Sequence, residues 1–325
     1  MSRRSSPGRT ALTALGAVGA VGAAATAWGV GIERHLFTIR AHEAAVLPAG
    51  SPSLTVLHLS DPHMAPWQRR KQRWIADLAD EVQPDLVVNT GDNLGHEDGL
   101  DGLRPAFSPL RGVPGLFVHG SNDVVAPSRR NPLLYFQGPS SYSSRSGRLD
   151  TGALDAFLAD ELGWTPLHNT AATIRAAGIR IDALGVDDAH RDWDDIDAAT
   201  TAYAALGDSD EPRLRLGVTH APYRRVLDRF TDAGVDALLA GHTHGGQVRI
   251  PFSRKALVAN CDIPLDQARG CSTWRSGGRA IPLNVSAGLG HSIYAPVRFA
   301  CLPEVSVLTL RAKSALDSSG GLPTG

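Results

Sequence analysis

From Leu54 onward, short apolar runs that end in polar residues alternate with stretches whose apolar positions recur at helical spacing. The runs LTVLHLS (54–60), DLVVNT (85–90), GLFVHG (115–120), IRIDALG (179–185), LRLGVTH (214–220), VDALLAG (235–241), LNVSAG (283–288) and VSVLTLR (305–311) predict strands. Residues 68–82, 152–162 and 223–233 predict helices between them. Strand and helix in alternation define an α/β domain over residues 54–312, with no internal repeat. Residues 127–151, rich in Pro, Ser and Arg, break the rhythm over a length unusual for a connection, as lids and substrate-contacting excursions do. Residues 313–325 are small and polar without periodicity and are expected to be a disordered tail.

The N-terminus departs from this pattern. Arg3, Arg4 and Arg9 precede residues 11–31, which carry no charge and are long enough to cross a bilayer as a helix. Ala and Gly dominate that stretch and contribute little transfer energy compared with Leu or Ile. Residues 1–36 therefore read as a basic N-terminus with a membrane anchor, and residues 37–53 as a linker. The arginines favour a cytoplasmic N-terminus and an extracytoplasmic domain; secretion after signal cleavage is the alternative. A twin-arginine signal is a minor option, because Ser5, Ser6 and Pro7 stand where apolar residues are usual.

Composition narrows the partners. With 325 residues and 42% hydrophobic content the chain can bury a large core, and 32 Lys plus Arg against 33 Asp plus Glu leaves no basic field for nucleic acid. The three cysteines lack the spacing of a disulfide framework or zinc knuckle and read as small buried side chains; a single bridge between Cys261 and Cys301 is the alternative.

Candidate chemistry sits at the ends of the predicted strands. Asp61-Pro62-His63, Gly91-Asp92-Asn93, Gly120-Ser121-Asn122-Asp123, His220-Ala221-Pro222 and Gly241-His242-Thr243-His244-Gly245-Gly246-Gln247 each follow one directly. Ligands bind outside the carboxyl ends of strands in α/β sheets, so the clusters can converge on one site. Any one of them alone is an ordinary turn, but Gly-His-Thr-His-Gly-Gly is harder to explain as structure, and the set in this order is specific. Carboxylates with neutral imidazoles suit divalent Mn, Fe or Zn. Two such ions ~3.5–4 Å apart can clamp a phosphate ester and activate a water.

The series D-x-H, G-D-x, an altered G-N-H-D, a lone His and G-H-x-H resembles the calcineurin-like metallophosphoesterase superfamily over roughly residues 54–311, and the Gly-Gly-Gln after His244 resembles its membrane-associated bacterial branch. The resemblance implies a four-layer α/β/β/α sandwich of two mixed sheets flanked by helices. It also implies two divalent metal ions: one held by Asp61, His63, Asp92 and His244, the other by the shared Asp92, His220, His242 and an Asn. The implied activity is phosphoester hydrolysis by in-line attack of a metal-bound hydroxide.

The chain departs from that pattern at Gly120–Asp123. Strict alignment puts Ser121 at the ligand position and Asn122 at the position of the family's histidine, which serves the leaving oxygen. Either the loop is displaced by one residue and Asn122 is the ligand, or Ser121 or water fills the place; ligand chemistry favours Asn122, since a neutral hydroxyl binds these ions poorly beside an amide oxygen. Asn122 does not titrate, so the usual acid is missing; Asn122 and Asp123 are the candidate catalytic positions in the loop. His119, His96 and His291 are substitutes in principle, and Arg298 is expected near the mouth, facing a phosphate. A missing acid fits a substrate with a good leaving group, such as a phosphodiester of an envelope, lipid or nucleotide-linked compound. The alternative is a non-catalytic metal-binding scaffold, against which stands the retention of six other ligand positions.

Overall fold

The computed structural model describes residues 7–127, 147–207, 209, 211–253, 255–291 and 293–314, with side chains from residue 15 on. The basic residues 1–6, most of the 127–151 excursion and most of the 313–325 tail lie outside the described residues.

Two six-stranded sheets face each other. The first runs β1 (Thr38–Leu47), β12 (Glu304–Ala312), β2 (Leu54–Leu59), β3 (Leu86–Asn89), β4 (Gly115–Phe117), β5 (Trp164–Pro166), with β2 through β5 parallel. The second runs β10 (Gly270–Ser276), β11 (Arg279–Val285), β9 (Ala237–Ala240), β8 (Arg213–Thr219), β7 (Ile179–Val186), β6 (Thr170–Ala176), with β11, β9, β8 and β7 parallel. Parallel strands require helical crossovers, and these supply the outer layers. α2 (Arg69–Val82) and α3 (Gly99–Phe107) bury Ile75, Leu78, Leu103 and Phe107 on the first sheet. α6 (Ile196–Ala205) and α7 (Arg224–Asp232) bury Ala199, Val226, Leu227 and Phe230 on the second. Between the sheets, Leu54, Val56, Val88 and Leu116 meet Ile181, Leu214, Leu216 and Leu239 with almost no solvent exposure. The result is the expected four-layer sandwich.

All eight predicted strands form, but β1, β5, β6 and β10 were not predicted. The 37–53 linker is a correction: Thr38–Leu47 pairs in parallel with β12 from Thr38 opposite Glu304 onward. Polar Arg40, His42 and Glu43 interrupt its apolar positions, so it carries no long apolar run, but Ala44, Val46 and Leu47 enter the core between the sheets. Helix 152–162 is present as α5 (Thr151–Asp155) continuing into a π-helical turn over Ala156–Glu161.

α1 (Pro7–Gly31) stands apart from the sandwich, with Leu15, Val18 and Val21 about 70% exposed. It is long and apolar enough to cross a membrane. Its last turn is seated on the domain: Gly29 O accepts from Arg298 N at 3.2 Å, and buried Glu33 accepts from Trp28 Nε1 at 2.8 Å and from Cys301 N at 2.7 Å. An added Cβ at Gly29 would lie 2.7 Å from Arg298 O, so glycine is what permits this approach.

Candidate metal centre

The strand ends of both sheets open on the same edge, and seven predicted side chains meet there. Sheet one delivers Asp61 and His63 after β2, Asp92 after β3, and Asn122 at the start of the short α4 (Ser121–Val124) after β4. Sheet two delivers His220 after β8 and His242 and His244 after β9. Asp61, His63, Asp92, His242 and His244 all have φ between 40° and 67°, the left-handed region that costs a non-glycine residue on the order of 1 kcal/mol or more. Five such residues on one edge show that the loops are bent to aim these side chains inward.

One half of the centre is Asp61, His63, Asp92 and His244. His63 Nε2 lies 3.1 Å from His244 Nε2 and 3.5 Å from Asp92 Oδ2, and His244 Nε2 lies 3.5 Å from Asp61 Oδ1. Asp61 Oδ1 is buried and has no hydrogen-bond partner, an arrangement that normally costs ~1–3 kcal/mol and more for a charged group. Burial pushes the Asp61 carboxyl up to about 7 and the His63 imidazole down to about 4. A cation among these atoms removes the penalty on both, and the donor set of carboxylates and imidazoles suits a divalent ion. The residues present therefore fit a metal.

The other half joins Asp92 to His220, His242 and Asn122. His220 Nε2 is 3.6 Å from Asp92 Oδ2 and 3.2 Å from His242 Nδ1. The Asn122 side-chain amide reaches Asp92 Oδ2 at 2.6 Å, and Asn122 N donates to Asp92 Oδ1 at 2.8 Å. Ser121 points its backbone N–H elsewhere, to Asp188 Oδ2 at 3.0 Å. Asp92 would be raised by burial, but His220, His63 and the two Asn122 donors outweigh it and hold the carboxyl below its ordinary range. Gly120 makes room, since an added Cβ would collide with Asp92 Oδ1 and, at 2.6 Å, with His220 Cε1.

Three of the four candidate ligand imidazoles have a backbone carbonyl behind them, and the fourth, His63, has no partner at Nδ1. His220 Nδ1 faces Thr90 O at 2.7 Å, His242 Nε2 faces Asn260 O at 3.1 Å, and His244 Nδ1 faces Gly290 O at 3.3 Å. The opposite nitrogen of each faces the centre, where a bound cation would take its lone pair. Beneath them, Asn284 Nδ2 donates to His58 Nδ1 at 2.8 Å, His58 Nε2 reaches Thr90 Oγ1 at 3.0 Å, and Thr90 donates to Ser60, which donates to Asp61 Oδ2. His58, lowered to about 3 by burial, is neutral and carries this chain rather than a ligand role.

Two expectations are corrected. Asp123 is not presented to a substrate: Asn93 N and Leu94 N fill Oδ1, and Gly120 N and Asn93 Nδ2 fill Oδ2, so all its lone pairs brace the loop. Arg298 is not at the mouth but completely buried, donating to Ala287, Gly288, Gly290, Leu302 and His244 carbonyls. The three cysteines are all free; Cys301 Sγ lies 3.3 Å from His244 O. Of the substitute histidines, His119 turns to Asp155, His96 packs on Trp67, and His291 stands 3.5 Å from Arg34. The histidine that sequence reading missed is His190, whose ring centroid is 4.5 Å from that of His242 and whose Nδ1 is 3.0 Å from Tyr223 Oη. Its signal in the sequence is the polar cluster Asp187-Asp188 that follows the strand ending at Val186.

Arg298 secures the loop that wraps the first ligands, because Gly288 and Gly290 press on Asp61 and His63. Among the described residues no carboxylate lies within ion-pair distance of it. Arg298→Met should leave buried carbonyls without donors and lower unfolding stability by about 3 kcal/mol, seen as a lower urea midpoint at unchanged slope. A midpoint within error of wild type would show that this guanidinium does not hold the loop.

Comparison with known proteins agrees with the geometry. The sequence profile of the calcineurin-like phosphoesterase family matches residues 54–246. The chain is 29% identical to the uncharacterized protein YpbG of Bacillus subtilis over 69% of this chain and 72% of that one. It is 26% identical to the phosphodiesterase YaeI of Escherichia coli over 88% of this chain and 94% of that one. It is also 26% identical to a bovine transmembrane protein with a metallophosphoesterase domain, over 66% of this chain and 45% of that one.

Proposed function

As the chain belongs to the calcineurin-like phosphoesterase family and is a metallophosphoesterase, we propose that it hydrolyses a phosphodiester at a centre of two divalent ions, on a substrate presented close to a membrane surface. The observation that carries the hydrolytic part is the meeting of two ligand groups, Asp61–His63–His244 and Asp61–Asp92–His220, which share Asp61 with its unpartnered Oδ1 and have His242 and Asn122 beside them. Asp61, His63, Asp92 and His244 would hold one ion, and Asp92, Asn122, His220 and His242 the other. Two bound ions supply Lewis acidity toward the phosphoryl oxygens and a water of lowered pKa.

The chain's own residues do the rest. Asp92 faces both ligand groups and places its charge between them. The Thr90, Asn260 and Gly290 carbonyls orient the imidazoles of His220, His242 and His244. Asp123 holds the Gly120–Asp123 loop against Asn93 and Leu94, so that Asn122 stays beside Asp92. The seating of α1 on Arg298, whose guanidinium reaches His244 O at 3.4 Å, supports the membrane part, since it puts the end of the apolar helix two contacts from a ligand. YaeI, named a phosphodiesterase, is similar over nearly its whole length.

With Asn122 as ligand, the residue in the place of the family's loop histidine is Asp123, whose oxygens are all taken by Asn93, Leu94 and Gly120 donors, which favours esters whose leaving group departs without a proton. Turnover of aryl phosphodiesters should therefore fall steeply as leaving-group pKa rises, measured as kcat/KM at fixed pH. A flat profile would refute this and would mean that a proton donor is in place, with His190 beside His242 the group to replace next. A scaffold role would instead give two bound metals with no turnover on any mono- or diester.

A further inference from the structure

A second group of ligand-type atoms meets beside the Gly120–Asp123 loop. His119 closes the run after β4, Asp155 ends α5, and His168 stands between β5 and β6. His119 Nε2 lies 3.0 Å and His168 Nε2 3.6 Å from the same oxygen, Asp155 Oδ1, and the two ring centroids are 4.1 Å apart. All three atoms are buried, yet none is aligned on another as a hydrogen bond. The His119 side chain is only 7% exposed, and its Nε2, which makes no aligned hydrogen bond, is aimed into the cluster from the protein side. His168 and Asp155 are 25% and 41% exposed and leave the cluster open to solvent on theirs.

His168 is oriented from behind. Its Nδ1 is 3.1 Å from Asp187 Oδ1, and Asn169 Nδ2 fixes the other Asp187 oxygen at 3.0 Å. A carboxylate behind one ring nitrogen places the proton there and the lone pair on the other, as in carboxylate–histidine–metal arrangements. His168 Nε2 then turns its lone pair toward an Asp155 oxygen, two acceptors facing each other unless a cation lies between them. A tetrahedral ion with ligands at ~2.0–2.1 Å has ligand separations of about 3.3 Å, which the separations of 3.0 and 3.6 Å bracket.

We propose that His119, Asp155 and His168 form an additional divalent-cation site of zinc type, with two imidazoles, one carboxylate and water in the remaining position. It shares no residue with the seven-ligand centre. Its ion ties the end of α5 and the β5–β6 turn to the residue just before Gly120, and so steadies the loop that carries Asn122. The competing occupant is a proton: Asp155 and Asp187, outweighing burial, push His168 up to about 9. A negative pocket attracts either, but a protonated network holds no metal.

The test is a zinc count on chelator-stripped, full-length protein after dialysis against zinc alone and gel filtration. Wild type should retain one equivalent more than Asp155→Asn and one more than His168→Gln. His96→Gln, in the exposed His96–Glu97–Asp98 group, should match wild type. The same equivalent should still be lost on adding Asp155→Asn to a His244→Ala chain, which separates this site from the main centre. Equal counts in wild type and both site variants overturn the proposal. Should the variants misfold, the histidine ring nitrogen spectrum of wild type decides: zinc saturation should leave His168 Nε2 without a proton, and a persisting Nε2–H signal overturns it.

Discussion

Asp92→Asn is expected to lower kcat/KM on a phosphodiester by about 10³-fold, equivalent to ~4 kcal/mol of lost transition-state stabilisation. Asparagine keeps the shape of the side chain and removes the charge that faces His63 Nε2 at 3.5 Å on one side and His220 Nε2 at 3.6 Å on the other. It also sets an amide against the donors of Asn122, which now reach both Asp92 oxygens. Because Asp92 is held below its ordinary range, it is a carboxylate at neutral pH and carries that charge between the two halves. Kinetics and metal content at matched circular dichroism check this. Activity within tenfold of wild type, with both ions retained, would show that Asp92 does not link the two halves.

The second large effect separates two neighbouring residues. Asn122→Ala is expected to cost roughly 10²-fold in kcat/KM and to weaken one metal of the pair, the range reported for loss of one well-placed polar group at a reacting centre. Ser121→Ala should stay within about threefold, because the anchoring contact of Ser121 is its backbone N–H on Asp188, which alanine keeps. Metal stoichiometry and turnover of the two variants side by side read the outcome. If Ser121→Ala alone loses the second ion, the register of the loop is the unshifted one.

The residues of the centre were legible because strand ends in parallel sheets deliver their next residues to one edge, and a polar cluster after an apolar run records that directly. Their chemistry, Asp with His, was legible for the same reason. Arg298 was not: an arginine in a loop near phosphate chemistry reads as a phosphate contact, and only the path of Gly288–Gly290 around Asp61 shows that it is enclosed by carbonyls. Asp123 misled similarly, since its four donors come from a loop 30 residues earlier and from its own turn. β1 and β10 escaped because polar residues interrupt the apolar positions of these edge strands; in Thr38–Leu47 the core residues Ala44, Val46 and Leu47 come only at the end of a strand aligned on β12. His190 depended on a tertiary meeting with His242 that no spacing announces.

The division of the ligands between the sheets has a thermodynamic consequence. Each proposed ion would be gripped from both sides of the sandwich: one by Asp61, His63 and Asp92 against His244, the other by Asp92 and Asn122 against His220 and His242. An ion bound that way is a cross-link, present only when the two halves are docked in register. By mass action it contributes about 2.7 kcal/mol at a concentration 100 times its dissociation constant. Chelation should then loosen the seam between the sheets before it loosens either sheet, and the metal serves the fold as well as the reaction.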